Sequence, residues 1–389
     1  MTRALALTWQ LSEVHGWGLV GVHSALLLVE RRHPLLLLDA PALSTLRPEN
    51  RAKLAPLLDG HRQIAELSTK NQHKPLRLHD CTVLHALSNG FETGPASDRF
   101  QGDRNIGVIA FEDTLFDADI LARARRYDRL VVHSAYNRDL LLQAGFAQVD
   151  CALQGVDPDE LPILPPRGLF GDRFVIFSGG KLEFRKGQDL VLAAFRAFHA
   201  RHPDSVLVTA WHNPWPQFAA SIAESPHTPR AAAIDPATGR LRIADWAADH
   251  GVPPDAFVDA GFLGRGDIAP ILAECHAAVF PNRCEGATNL VAMEAMACGV
   301  PVILSNNTGH RDLIRPGNAL PLANQRPVSD PAGRRRGWGE SSVEEIVEHL
   351  ERLYADRAAA RAMGAQAMDF IRTERSWRAF AESFVAAVA

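Results

Sequence analysis

Cysteine is scarce in this 389-residue chain: Cys81, Cys151, Cys275, Cys284 and Cys298 are the only five, and no two form a C-x-x-C pair. That excludes a disulfide framework and the usual zinc spacing, and reads as reduced, mostly buried thiols of a cytoplasmic protein. Long hydrophobic runs are missing as well. No window approaches 18 apolar residues without charge, so no membrane-spanning helix is expected. The stretch Met1–Gln10 carries one Arg and a short apolar segment, without the layout of a secretory signal. Charge bias is slight, a formal net charge of -4. General attraction to nucleic acid or to an anionic membrane surface is therefore not expected. There is no internal repeat.

What is present is ordinary for a globular enzyme: 47% hydrophobic and 22% charged residues. The length exceeds what one hydrophobic core serves, so two domains are expected. Apolar runs of strand length recur at Ala4–Thr8, Leu35–Leu38, Thr82–Leu84, Gly107–Phe111, Leu130–Val132, Phe174–Phe177, Val206–Ala210, Ala277–Phe280 and Pro301–Leu304. Amphipathic helical patterns such as Asp189–Ala200 and Val291–Ala297 lie between many of them, which predicts an α/β fold with mostly parallel sheets. The proline-dense stretch Asp157–Gly168 breaks the alternation and predicts a linker between halves of similar size. Asp330–Gly339, with Arg334-Arg335-Arg336, reads as a solvated loop. Near the end, Trp377, Phe380, Ala381, Phe384 and Val388 share one helical face that must pack on something apolar.

Gly16-Trp17-Gly18-Leu19-Val20-Gly21 spells G-x-G-x-x-G, with Asp39 eighteen residues beyond the last glycine. This is the outline of a dinucleotide fingerprint, and a nicotinamide-dependent oxidoreductase is one reading of it. The strand, however, ends early, and Trp9–His15 intervenes before the first glycine. The loop is longer than that fingerprint wants. A turn that starts the helix Leu19–Glu30 is an equal alternative, and its amides form a generic anion site.

Two stretches of the second half are more specific. In Phe177-Ser178-Gly179-Gly180-Lys181-Leu182-Glu183-Phe184-Arg185-Lys186-Gly187 a strand ends, glycines open a turn and three cations follow within six residues. Lys181 and Lys186, five apart across a turn, can converge on a diphosphate without a metal ion. Lys186 is expected to be exposed when nothing is bound. In Pro281–Ile303 an apolar strand runs into a polar loop holding Glu285. Thr288 or Asn289 can cap the next helix, whose interior carries Glu294 between Met293 and Ala295. Burial there is costly for an acid unless something accepts its charge, as ligand hydroxyls would.

These residues, Lys181-Leu182-x-x-x-Lys186-Gly187 followed by Glu285-Gly286 and Glu294-Ala295-Met296-Ala297-Cys298-Gly299-Val300-Pro301, resemble the GT-B glycosyltransferases of family four, retaining enzymes that use nucleotide sugars. Ser134–Asp139 and Gln154–Asp157 resemble that family's segments before its interdomain linker, and the Trp377 helix resembles the one that crosses back onto the N-terminal domain. Two departures stand out. Lys181 occupies the place of an Arg, keeping the charge but not the bidentate fork. Eight residues rather than seven separate Glu285 from Glu294, and the extra one falls in Gly286–Asn289, before the helix.

The resemblance implies two Rossmann-like domains facing each other across a cleft. An acceptor domain would span 1–165, a donor domain 166–370, and a helix at 371–389 would pack back on the first. Lys181 and Lys186 would neutralise the leaving diphosphate, with Gly180 in their turn. Glu294 would bind the donor ribose and Glu285 the transferred sugar. Amides at Asn289, Leu290 and Val291 would add partial positive charge, and Leu263-Gly264 would lie near the nucleobase. Gly16 and Gly18 would approach the donor phosphate from the N-terminal domain. In the N-terminal half, His85 is read as ending a strand, where α/β folds place ligands, and is a candidate for contacting the sugar or acceptor. Glu112 and Asp113, after the strand Gly107–Phe111, are further acceptor candidates.

No cofactor and no metal are expected. The donor, a UDP- or GDP-sugar, is a co-substrate. The acceptor is left open among saccharides, small molecules, proteins and nucleic acids. Arg51–Arg77 lacks the strongly basic face of a lipid-docked enzyme, which favours a soluble acceptor. D-x-D, required by the metal-dependent transferases, occurs only at Asp117-Ala118-Asp119, opening a helix, and at Asp157-Pro158-Asp159, in the linker. A non-catalytic relative that binds nucleotide sugars is the remaining alternative.

Overall fold

The computed structural model describes residues 3–72, 74–228 and 230–389. Two compact units emerge. Unit 1 comprises residues 1–155, Asp330–Arg335 and Arg375–Ala389, and unit 2 comprises Val156–Ser329 and Arg336–Glu374.

Unit 1 is built on strands β1 (Ala4–Leu7), β2 (Leu35–Leu37), β3 (Leu76–Ser88), β4 (Glu92–Thr93), β5 (Phe100–Ile109), β6 (Arg129–Val132) and β7 (Val149–Cys151). Their order is β2-β1-β3-β5-β6-β7, all parallel, with the short β4 antiparallel to β3. β1, β2 and the interior part of β6 read as unbroken apolar runs, and β3 and β5 are buried only in their second halves. The helix Trp377–Val388 belongs to this unit. Trp377 stacks on His23 of the helix Gly16–Glu30, ring centroids 4.7 Å apart, and Phe380 meets His133 at 5.7 Å. The apolar face expected from its spacing is buried: Trp377, Phe380, Ala381, Phe384 and Val388 all lie in the core.

Unit 2 holds β8 (Phe174–Gly179), β9 (Ser205–Ala210), β10 (Phe257–Asp259), β11 (Ala277–Phe280), β12 (Val302–Ser305) and β13 (Leu320–Leu322), in the order β10-β9-β8-β11-β12-β13, all parallel. Apolar layers cover both faces. One is centred on Phe174, Phe195, Phe198, Trp211 and Trp246, the other on Phe177, Phe280, Met293, Met296 and Phe370. A hairpin of β14 (Gln325–Pro327) and β15 (Gly339–Ser341) lies beside this sheet in sequence. The proline-dense stretch is irregular and falls within unit 2.

The loop between the hairpin strands is largely exposed, as expected, but it is also pinned. The amides of Arg334 and Arg335 are held by the Asp330 carboxylate at 2.6 and 2.8 Å, and the Arg334 guanidinium donates to Asp113 at 2.6 Å. The Arg334 carbonyl accepts from the Thr114 amide at 2.9 Å. Asp113, in the same unit, receives this cation, whose side chain remains half-exposed.

Candidate active site

At the carboxyl ends of β8, β11 and β12, which are adjacent, three loops converge, as expected for ligand sites of open α/β sheets. Gly187, between Lys186 and the helix Gln188–His199, has φ +72° and its Cα faces the Pro281 carbonyl. A Cβ there would lie 2.3 Å from that oxygen, so only glycine lets the two loops meet. The amides of Arg283 and Cys284 donate to the Arg185 carbonyl at 2.7 and 3.2 Å, and Gly179 abuts Val291 at the start of the helix Leu290–Ala297. Gly180, Lys181, Lys186, Glu285 and Asn289–Val291 are thereby brought together in unit 2.

Their charges alternate along one chain of contacts. Lys181 lies 3.2 Å from Glu183, Arg185 bridges Glu183 at 2.7 Å and Glu285 at 3.2 Å, and Lys186 donates to the other Glu285 oxygen. Three cations against two carboxylates leave an excess of one positive charge. Glu285 is 4% exposed. Asn282 also donates to its carboxylate, and its backbone amide donates to Thr308 at 2.9 Å. Burial alone would raise its pKa, but Lys186 and Arg185 hold it down at about 2. Lys186 is likewise buried, contrary to the expectation of an exposed lysine. Glu285, 99 residues away in sequence, draws it in. Lys181 remains half-exposed, its ammonium 5.4 Å from the Trp215 ring.

The helix that carries Glu294 is capped by Asn289, whose side-chain oxygen accepts from the Ala292 amide at 3.3 Å. The Thr288 hydroxyl is buried without a hydrogen-bond partner among the described residues. Because the Asn289 oxygen is committed to the cap, its NH2 donates to His310 Nε2 at 3.1 Å. That fixes the neutral tautomer in which Nδ1–H donates to Ser305 Oγ at 2.8 Å. Burial, opposed by the Glu285 charge, pushes the His310 pKa down to about 4.

Glu294 has a protein partner that sequence reasoning missed. Arg265, immediately after Leu263-Gly264, donates through Nη1 to Glu294 at 2.5 Å, placing that loop beside the helix acid. Its other fork binds Glu160. Arg283 was also missed as anything but a loop residue. It is fully buried, with a bidentate grip on Asp189 at 2.9 and 2.6 Å, a bond to Glu340 at 3.0 Å and its guanidinium 4.2 Å from the Phe184 ring. It fixes the loop that presents Glu285. A cation next to each named motif was the only available signal.

The remaining candidates lie in unit 1. β3 continues three residues past His85 to Ser88, so the histidine does not end its strand. It is wholly buried, its Nε2 3.0 Å from Asn105 and its ring 5.3 Å from Tyr127, and burial lowers its pKa. The amides of Glu112 and Asp113 donate to Asn89 at 3.0 and 3.3 Å, and Asp113 receives Arg334.

The glycine turn has a packing explanation. The Gly18 amide donates to His15 Nδ1 at 3.1 Å, closing the helix start. A Cβ on Gly18 would lie 2.2 Å from the Ser12 carbonyl, and one on Gly21 2.6 Å from Leu11. The long loop is itself fixed by Glu13, which is buried and accepts from the Arg47 amide at 2.7 Å and Asn50 at 2.6 Å. The glycines let this loop lie against the helix, which accounts for their spelling without a dinucleotide.

Among the described residues no group of three or more His, Cys, Asp or Glu is arranged to hold a metal ion, and no helix is long and apolar enough to cross a membrane.

The two parallel sheets and the returning C-terminal helix define the GT-B class. Sucrose-phosphate synthase from Thermosynechococcus elongatus superposes with a TM-score of 0.65 at 16% identity, covering 99% of this chain and 98% of that one. Anabaena HepE in complex with UDP and glucose gives 0.65 at 14%, covering 99% of each. Within that class, residues 240–356 match the family described as Glycosyl transferases group 1, and the resemblance of this chain to the group 1 GT-B glycosyltransferases holds. Among curated relatives, a GDP-mannose-dependent α-(1-6)-phosphatidylinositol monomannoside mannosyltransferase of Mycolicibacterium smegmatis is 24% identical over 269 residues, and a glycogen synthase of Mycobacterium tuberculosis is 25% identical over 272. The matches cover 67% and 66% of this chain but only 60% and 56% of those proteins' lengths.

Proposed function

We propose that the protein is a retaining glycosyltransferase that moves a sugar from a UDP- or GDP-sugar to an acceptor hydroxyl, without a metal ion, in the cytoplasm. The observation that carries this reading is the alternating chain Lys181–Glu183–Arg185–Glu285–Lys186, with its excess positive charge beside the Asn289–Val291 helix start. In the transfer the anomeric carbon–oxygen bond to the diphosphate breaks, a bond to the acceptor oxygen forms and the acceptor hydroxyl proton passes to the departing diphosphate. Negative charge builds on the departing diphosphate, and fixed cations that meet it lower the barrier. In this reading Lys181 and Lys186 bind that group, Glu285 faces the sugar, Glu294 accepts from the ribose hydroxyls and Leu263-Gly264 borders the base. UDP bound to HepE and the GDP-mannose named for the mycobacterial relative support a nucleoside-diphosphate donor.

The test is thermal-shift and calorimetric titration with UDP, GDP, ADP and NAD in EDTA. Stabilisation by one nucleoside diphosphate is the expected result and identifies the donor base. Stabilisation by NAD alone overturns the reading. Nucleotide binding without donor hydrolysis or transfer assigns the chain to non-catalytic relatives.

A further inference from the structure

Glu160 lies in the proline-dense stretch, Arg265 opens the helix Arg265–Leu272, and Glu294 sits inside the helix Leu290–Ala297. The fold joins them in one buried chain. Arg265 Nε and Nη2 donate to one Glu160 oxygen at 2.9 and 2.6 Å, and Nη1 donates to Glu294 Oε1 at 2.5 Å. The glutamate side chains are only 4% and 7% exposed. A guanidinium is planar, so anchoring one edge fixes the direction of the remaining N–H groups. Glu160 therefore sets where Nη1 points, and Nη1 takes Oε1 of Glu294. Among the described residues, Oε2 of Glu294 accepts no hydrogen bond.

We propose that Arg265 is a positioning residue for the donor: anchored by Glu160, it holds the Glu294 carboxylate so that Oε2 is presented to the vicinal hydroxyls of the nucleotide ribose. This rests on the glycosyltransferase reading above. Burial works against a charge on Glu294 and raises its pKa, Arg265 opposes that, and Glu160 adds to it. Cys298, one turn further along the helix, contributes no charge, its thiol pushed up to about 12 by burial and by Glu294. Arg265 is thus the cation that keeps this acid an acceptor. Without it, two buried carboxylates face each other and Glu294 takes up a proton.

The test compares calorimetric affinities for UDP and GDP with those for their 2′,3′-dideoxy counterparts, in the full chain and in Arg265→Gln. Base and diphosphate are common to each pair, so the ratio isolates the ribose hydroxyls. Loss of the hydroxyls is expected to weaken binding to the unmodified chain about 10- to 100-fold, and binding to Arg265→Gln by under about 3-fold. A purely structural role lowers both affinities together, so an unchanged ratio in the variant overturns the proposal. Should Arg265→Gln not fold, Arg265→Lys decides. It keeps the charge but cannot fork across both acids, its ratio is expected to fall at least about 3-fold, and an unchanged ratio again overturns the proposal. If the unmodified chain binds neither nucleotide, the glycosyltransferase reading fails and this one with it. If it binds ribo and dideoxy forms equally, the Arg265 proposal and the ribose role of Glu294 fail, while the diphosphate site and the glycosyltransferase reading stand.

Discussion

Replacing Lys186 with Met keeps the aliphatic stem and removes one of the three cations in the ion chain, leaving Arg185 and Lys181 against Glu183 and Glu285. Two separable effects are expected. Breaking a buried ion pair costs about 3–5 kcal/mol when the surviving charge is stranded. Here Glu285 keeps Arg185 at 3.2 Å and the Asn282 amide, so the loss should be nearer 2 kcal/mol. For a unit of roughly 200 residues that is a fall in Tm of about 4–8 °C. The second effect concerns the ligand. One charge-assisted hydrogen bond to the diphosphate is worth about 1.5–3 kcal/mol, or about 10- to 150-fold in Kd. The loss in transfer rate should be larger, because charge grows as the diphosphate departs. Thermal melting measures the first effect, and titration with the nucleoside diphosphate measures the second. A variant that melts with the parent refutes the buried pair. One that melts lower yet binds the nucleotide at the parental Kd refutes the phosphate role while leaving the pair intact.

Acid should destabilise unit 2 in two windows. His310 has a folded pKa near 4 against an ordinary 6.5, so its contribution is complete above pH 6.5 and is lost as pH falls through 4. Glu285, near 2 against 4.5, contributes fully above pH 4.5 and loses that contribution as pH falls towards 2. Each can remove roughly 3 kcal/mol at the end of its window. Denaturant midpoints across pH in His310→Asn and Glu285→Gln should each lose one window, and identical profiles in parent and variants would contradict both assignments. Gly18→Ala places a methyl against the Ser12 carbonyl and should destabilise unit 1 by about 1–3 kcal/mol. An unchanged melting curve would show that the turn relaxes freely and that the glycine answers to something other than packing.

The parallel sheets were legible because their central segments are unbroken apolar runs. Val175-Ile176-Phe177 and Ala277–Phe280 sit at the centre of their sheet and announce themselves by composition alone. β10 and β13, three residues each and at the two edges, were not, since Phe257–Asp259 and Leu320–Leu322 owe their extended form to neighbouring strands. Asn289 was legible as a cap because capping depends on a contact three residues away. Arg265, Arg283 and the burial of Lys186 were not, because their partners lie 29, 94 and 99 residues distant and only the fold brings them together. His85 misled because an apolar run followed by histidine looks like a strand end, whereas β3 continues through it.

The assignment of Arg375–Ala389 to unit 1 bears on how the chain is made. Between Gly155 and Arg375 the ribosome adds 219 residues, including all of unit 2, which at about 5–20 residues per second takes roughly 10–45 s. Throughout that interval the nascent unit 1 lacks Trp377, Phe380 and Phe384, and the groove around His23 and His133 that receives them is uncovered. Unit 2 completes its sequence first, at Glu374, so unit 1 is the unit that finishes folding last. Chaperone dependence during synthesis should therefore concentrate on unit 1, and its release should coincide with emergence of the helix Trp377–Val388.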